Sequence, residues 1–353
     1  MPAGFFQLSV KEIVRQTKNA IQIVMSIPNH LESQFIYESG QYITIHQNIS
    51  GEDVRRSYSI CSSPFADKEL SVAVKEVPGG KMSTFLNQEL KEGQQLEVMA
   101  PMGNFKLQPN FEHKHHFLFG GGSGITPLLS IIKTALHEEN SKVTLVYANK
   151  NEASIIFNKE LRSLHESFSN RFQIIHSIDS PEENWADLKG QLNHERLLQL
   201  IEEYANNESI FYICGPNGMM ELVKNTLEKR NIPKDQIKLE YFTSTASDSS
   251  KTQENIAPSE EVTESEVLIE VYGDESIVTV EEGQTILEAA QDADLDPPYS
   301  CTAGVCTTCR ARVIAGSVKM DEREGLSDAE IEEGFVLTCQ SRPTSSKCHL
   351  IFE

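Results

Sequence analysis

Four cysteines carry the most informative spacing in the chain: Cys301, Cys306 and Cys309 in "CTAGVCTTC", then Cys339 in "FVLTCQS". Thiolates are ligands for zinc and for iron. In a chain without secretory features, clustered thiols point to metal or redox chemistry rather than to a disulfide framework. A C-x4-C-x2-C run with one distant fourth thiol is the ligand spacing of a plant-type [2Fe-2S] cluster, in which each iron needs two terminal thiolates. A structural zinc site would also use four thiolates, but usually as two short pairs. Thr302, Ala303, Gly304, Val305, Thr307 and Thr308 are small, which suits a loop that wraps closely around inorganic sulfides, and Gly304 can take a positive φ where the wrap requires one. Cys348 lies outside the pattern and reads as a small buried hydrophobe.

A cluster alone cannot accept a hydride, so a two-electron cofactor is expected elsewhere in the chain. Three stretches are candidates. "VPGGKMSTFL" places Gly79, Gly80 and Ser83 at the start of an expected helix, where free amides suit phosphate. "HHFLFGGGSGITP" ends an expected strand in a glycine-rich turn, and ligands bind at such strand ends. It is not the usual GxGxxG fingerprint, because Pro127 stands at its last glycine. The third stretch, "RRSYSICSSP", lies on a strand whose residues, taken alone, read as ordinary sheet surface. Cys214, taken alone, reads as a plain buried thiol at a strand end.

The elements that must position these residues fall into three groups. Residues 5–110 form short strands, "FFQLSV", "AIQIVMSI", "QYITIHQ", "SYSICS", "LSVAVKEV" and "QQLEVMAP", with Gly, Pro and Asn between them, which predicts an antiparallel β-barrel. His46 there reads as a surface or internally satisfied histidine. From residue 115 strands and helices alternate, which predicts an α/β domain with a parallel sheet. Residues 243–265 are polar and aperiodic and read as a flexible linker spanning roughly 26 Å. After it come two β-rich runs, an amphipathic helix with Ile286, Leu287, Ala290 and Ala293, and the cysteines: a small α+β unit. The expected divisions are therefore 1–110, 111–242, 243–265 and 266–353.

The formal charge is -21, with 18 acidic against 6 basic residues in 266–353. That excess argues against nucleic acid as a partner and leaves two readings for the tail, a solvated surface or docking to a basic protein. No apolar run approaches the roughly 18 residues of a membrane span, and a cytoplasmic location is expected.

Residues 266–353, including "GFVLTCQSRP", resemble plant-type ferredoxin, a β-grasp fold, and R-x-Y-S at Arg56, Tyr58 and Ser59 followed by "GGKMS" resembles the flavin domain of the ferredoxin-NADP reductase superfamily. The resemblance extends to GxGxxP at Gly122, Gly124 and Pro127, and to CGP at Cys214, Gly215 and Pro216. It implies that Arg56 pairs with the flavin pyrophosphate, that Tyr58 lies on the isoalloxazine, and that Ser59 hydrogen-bonds the nitrogen accepting hydride, with Ser57 on the same flavin-binding strand. Gly80, Lys81, Met82 and Ser83 would cradle phosphate, and Thr126 and Cys214 would flank the nicotinamide. The implied cofactors are FAD, with FMN the alternative, and NADPH, with NADH possible. Lys150 in "VYANKNEAS" is the candidate for the extra phosphate because it precedes Glu152 past the second strand. Glu240, Tyr241 and Phe242 close the reductase portion, where relatives bring an acidic or aromatic residue near the flavin. The whole order implies an electron relay from NADPH through FAD to the cluster and on to an oxygenase component. "GQYITIHQNISGEDVRRSYSICSSP" most resembles the reductases of phenylacetyl-CoA epoxygenases, whose acceptor is a di-iron oxygenase. Reductases of other oxygenases or desaturases, and a non-turning redox carrier or sensor, are the alternatives.

Overall fold

A computed structural model of the chain describes residues 4–107, 115–242 and 264–352. Contacts divide the described residues into two compact units, one of residues 6–54, 58–107 and 115–242, the other of residues 264–352 with 4–5 and 55–57. Of the expected linker, residues 243–263 lie outside the described residues, and its last two, Glu264 and Ser265, instead begin a strand.

Residues 5–99 form six strands, β1 Phe5–Thr17, β2 Ala20–Ser26, β3 Tyr42–Ile49, β4 Glu52–Ser59, β5 Leu70–Lys75 and β6 Gln95–Met99, and one helix, α1 Lys81–Gln88. The strands form an antiparallel sheet in the order β4-β3-β6-β1-β2-β5, and an antiparallel bridge between Ile60 and Val72 joins its two ends. Period-two burial drives this closure: Ile21, Ile23 and Met25 are fully buried with Leu8, Ile43, Ile45, Val72, Val74 and Val98. Each such side chain contributes about 1.5–3 kcal/mol on burial.

The rest of the larger unit alternates β7 His115–Gly121, α2 Ile125–His137, β8 Lys142–Asn149, α3 Asn158–Ser167, β9 Phe172–Ile178, β10 Leu188–Lys189, α4 His194–Tyr204, β11 Ser209–Cys214, α5 Asn217–Lys229 and β12 Ile237–Glu240. The strands pair in parallel in the order β10-β9-β8-β7-β11-β12. Helices α2 and α3 pack with one apolar cluster, α4 and α5 with another, so every residue of β7 and β11 is buried.

The smaller unit holds β13 Glu264–Val271, β14 Asp274–Glu281, α6 Ile286–Asp292, β15 Arg310–Ala315, β16 Val318–Met320, α7 Asp328–Glu332, β17 Phe335–Leu337, β18 Ser341–Pro343 and β19 Lys347–Phe352. Its main sheet is mixed, ordered β14-β13-β19-β15-β17, with β16 and β18 as a separate pair. The β13–β14 hairpin turns on Tyr272 and Gly273, at φ of 54° and 88°, a twist that matches the flanking strands. A reciprocal box between Thr285 and Glu288 starts α6. This is the mixed sheet and packed helix expected of a β-grasp unit.

Candidate functional site

Between α6 and β15 the chain runs as a loop that carries the three thiols of the C-x4-C-x2-C pattern and brings them to Cys339, in the turn after β17. Cys306, Cys309 and Cys339 are buried, Cys301 is half-buried, and Cys301 is in side-chain contact with Cys306 and Cys339, as Cys309 is with Cys339. Hydrogen bonds from Cys306 and Cys339 and from the amides of Ala303 and Val305 pull the Cys301 thiol well below its ordinary value, with Cys306 and Cys339 raised in return. Among the described residues no three His, Cys, Asp or Glu side chains converge on a single-ion site. Four thiols shared between two irons need not converge on one point.

The loop is built for close approach. Gly304 sits at φ +75°, and a Cβ there would lie 2.7 Å from Cβ of Glu322. One on Gly325 would lie 2.9 Å from the Cys306 carbonyl. Thr302 also takes a positive φ, of 53°, which its side chain type did not foretell. The Thr338 hydroxyl and amide both donate to the Cys309 carbonyl, at 3.0 and 3.1 Å, and Gln340 Nε2 donates to Thr302 O at 3.1 Å. Amides aimed at sulfur, small residues and grouped thiols all fit a [2Fe-2S] cluster. Cys348 is buried beside Ser345, as a small core residue.

On β4, Arg56 is exposed, Ser57 and Tyr58 are half-buried and Ser59 is buried. The "GGKMS" segment starts α1 with Gly80 at its N-cap, so the amides of Lys81, Met82 and Ser83 have no intrahelical acceptor. Their side chains behave differently from a shared phosphate cradle. Met82 is part of the barrel core, Lys81 pairs with Glu52, and the Ser83 hydroxyl accepts from Val77 N at 3.1 Å and donates to Gly80 O at 3.2 Å. Backbone amides, not these side chains, are what the helix start offers an anion. His46 is internally satisfied, bonded to Glu97 at 2.6 Å and Asp53 at 3.1 Å.

The two glycine-bearing turns of the parallel sheet interlock at its carboxyl edge. A Cβ on Gly124 would sit 2.0 Å from the Cys214 carbonyl oxygen, and one on Gly121 would sit 2.5 Å from Cδ of Pro216. Gly215 in turn lies against Gly121, and Gly122 takes φ +53°. The GxGxxP and CGP segments are thus two halves of one close contact. Thr126 is buried in the first turn of α2, donating to Ser123 O at 3.0 Å, and Pro127 follows it in the same turn. Cys214 is fully buried and pairs in register with Gly120 on one side and Glu240 on the other. Burial pushes the Cys214 thiol well up and raises the Glu240 carboxyl to about 8.

Beside this contact lies a cavity of about 570 Å³ lined by Gly121, Gly122, Lys150 and Pro216 and by residues the sequence reading missed: Lys75, Asn149, Ser154, Asp179 and Gln191. Asn149 is buried, and its Nδ2 has no hydrogen-bond partner among the described residues. Asp179 directly follows β9, so its strand-end position was a usable signal. Lys75 ends a barrel strand, and nothing local marks it. A largely apolar cleft with a few polar side chains at the carboxyl ends of parallel strands, against a glycine turn that leads into a helix, fits a dinucleotide.

Barrel, parallel sheet and thiol loop together define a flavin- and nicotinamide-dependent iron–sulfur oxidoreductase. Residues 6–107 match the family described as "Oxidoreductase FAD-binding domain", 118–225 the "Oxidoreductase NAD-binding domain" and 269–344 the "2Fe-2S iron-sulfur cluster binding domain". The chain is 33% identical to one of the subunits of 1,2-phenylacetyl-CoA epoxidase from Escherichia coli (strain K12), covering 99% of this chain and 98% of that one. It is also 33% identical to the ferredoxin reductase component of 3-ketosteroid-9-alpha-monooxygenase from Rhodococcus rhodochrous, over 98% and 96%. Phthalate dioxygenase reductase has the same fold, with a TM-score of 0.62 at 23% identity over 99% of this chain and 98% of that one. The chain belongs to the family of FAD-, NAD- and [2Fe-2S]-binding reductase components of multicomponent oxygenases, and it is an NAD(P)H-dependent oxidoreductase.

Proposed function

We propose that this reductase draws on NADPH and delivers electrons, at its acidic iron–sulfur unit, to a di-iron oxygenase of the phenylacetyl-CoA epoxygenase type. The observation that carries the reading is the interlocked Gly121–Gly124 and Cys214–Pro216 contact beside a cavity with Lys150 and Asp179 on its lining. When bound, the groups would supply hydride transfer to FAD and single-electron transfer to the cluster. The chain's residues have separable tasks. Arg56 offers a bidentate fork to the flavin pyrophosphate, the amides of residues 81–83 offer donors to phosphate, and Tyr58 offers an aromatic face. Ser59, buried, offers a hydroxyl that serves either protonation state of a ring nitrogen. Thr126 and Cys214 hold the nicotinamide end, and Gly122, Gly124, Pro127, Gly215 and Pro216 leave the backbone room for it. Cys301, Cys306, Cys309 and Cys339 hold the cluster.

Lys150, exposed at the cavity rim, supports the NADPH reading, since a cation there suits a ribose phosphate. Asp179 lines the same cavity and supports NADH as the second reading. The partner reading rests on the 33% identity across nearly the full length of the epoxidase component and on the tail's 18 acidic against 6 basic residues. A thiolate cluster site suits a reducing compartment, so we place the protein in the cytoplasm; among the described residues no helix is long and apolar enough to cross a membrane.

Anaerobic stopped-flow mixing with NADPH or NADH tests the reading, with flavin absorbance and frozen-sample EPR as readouts. The expected result is flavin bleaching followed by a reduced-cluster signal, faster with NADPH, and a loss of that preference in Lys150→Glu. Faster reduction by NADH would assign the ribose to Asp179 instead. A bleached flavin with an oxidised cluster would overturn the relay.

A further inference from the structure

Below Thr126, helix α2 carries three polar residues, Ser130, Lys133 and Thr134, that nothing in nucleotide binding requires. Thr126, Ser130, Lys133 and Thr134 are spaced i, i+4, i+7 and i+8, so they share one face of the helix. Ser130 Oγ donates to Ser62 O at 2.6 Å, and Thr134 Oγ1 bonds Ser63 Oγ at 2.7 Å and also Ser39 Oγ. Between them the Lys133 side chain, only 6% exposed, puts its ammonium 2.9 Å from Asp67 Oδ2 and 2.6 Å from Glu160 Oε1. Ser62, Ser63 and Asp67 belong to the loop that leaves β4 just after Ser59, and the Ser63 amide ties Asp67 back at 2.7 Å. One face of one helix therefore presents Thr126 at its top and grips the continuation of the flavin strand below.

Burial alone would lower the Lys133 ammonium, but the two carboxylates outweigh it and raise it above the ordinary lysine value, so it stays charged. A buried ion pair is seldom more stabilising than apolar packing of the same volume. Hydrogen bonds are directional, however, and a slide of the helix would strand a buried charge.

We propose that the Ser130, Lys133 and Thr134 stripe is a positioning device that holds the helix bearing Thr126 at a fixed offset from the strand bearing Ser59. The proposal rests on the reading of Thr126 as nicotinamide-facing and Ser59 as flavin-facing. These residues touch neither cofactor, so their action is on alignment. A misplacement of about 1 Å from a remote change can cost about 10²-fold in rate.

The test uses full-length, flavin-loaded protein carrying Lys133→Met, Lys133→Arg or Thr134→Val. The expected result is unchanged FAD content and nucleotide dissociation constant, with the limiting rate of flavin reduction at saturating nucleotide down about 10²-fold in Lys133→Met. The long-wavelength charge-transfer absorbance should weaken in parallel, and Lys133→Arg should recover part of both. Amide hydrogen exchange in residues 61–67 should rise while β7 stays protected. Thr134→Val, nearly isosteric, should move every readout in the same direction and decides the matter where Lys133→Met yields no flavin-loaded protein. Wild-type limiting rates and absorbance in flavin-loaded variants would overturn the proposal. Wild-type protein that nucleotide does not reduce would instead sink the reading beneath it.

Discussion

Glu240 shows how much one residue's behaviour depends on its surroundings. It ends β12 beside Cys214, and burial lifts its carboxyl from 4.5 to about 8. The folded chain therefore holds a proton that the unfolded chain releases above 4.5. By linkage, that contribution to stability is full below pH 4.5, declines as pH rises, and is lost once pH passes 8. Glu240→Gln, which mimics the protonated form, should flatten the dependence of Tm on pH between about 5 and 8 and exceed wild type at pH 8. Parallel Tm profiles for the two proteins would show that the carboxyl ionises freely in the fold. At neutral pH the same group is mostly protonated beside Cys214 rather than a negative charge.

Among the elements, α6 does for the cluster what α2 does for the nucleotide. It is seven residues long, too short to persist without its cap and its packing. The Thr285 hydroxyl accepts from Glu288 N at 3.2 Å, and Glu288 Oε2 accepts from Thr285 N at 2.8 Å. The helix packs against the turn at residues 338–340, which carries Cys339. Thr285→Ala should cost about 1 kcal/mol and lower the melting temperature of the iron–sulfur unit by about 4–8 °C. Cluster absorbance followed on warming should fade earlier than in wild type. An unchanged bleaching curve would mean that the loop, and not the helix, holds Cys339.

For the molecule as a whole, charge is the property that no single residue carries. With 18 acidic and 6 basic residues, the segment 266–353 projects a field that a basic partner would follow and that salt would screen. The bimolecular rate of reduction of the partner oxygenase should fall steeply between low salt and about 0.3 M, a span in which nucleotide-driven flavin reduction changes little. A partner rate insensitive to salt would return the acidic surface to solvation alone.

The thiol spacing, the RxYS strand, the GxGxxP turn and the order of strand and helix periods were all legible in the sequence by itself. Each is a local pattern, set by residues within one loop or one element, and local chemistry survives being read in one dimension. Cys301, Cys306 and Cys309 share nine residues, so their common purpose shows before any folding. Tertiary structure alone decided the rest. Lys75, Asn149 and Asp179 meet in one cavity although more than a hundred residues separate the first from the last. Met82 turns its side chain into the barrel core. Lys133 joins a barrel loop to α3, and Glu240 gains its proton, because desolvation and ion pairing depend on which chain segments exclude water around a group, and only the packed fold sets that.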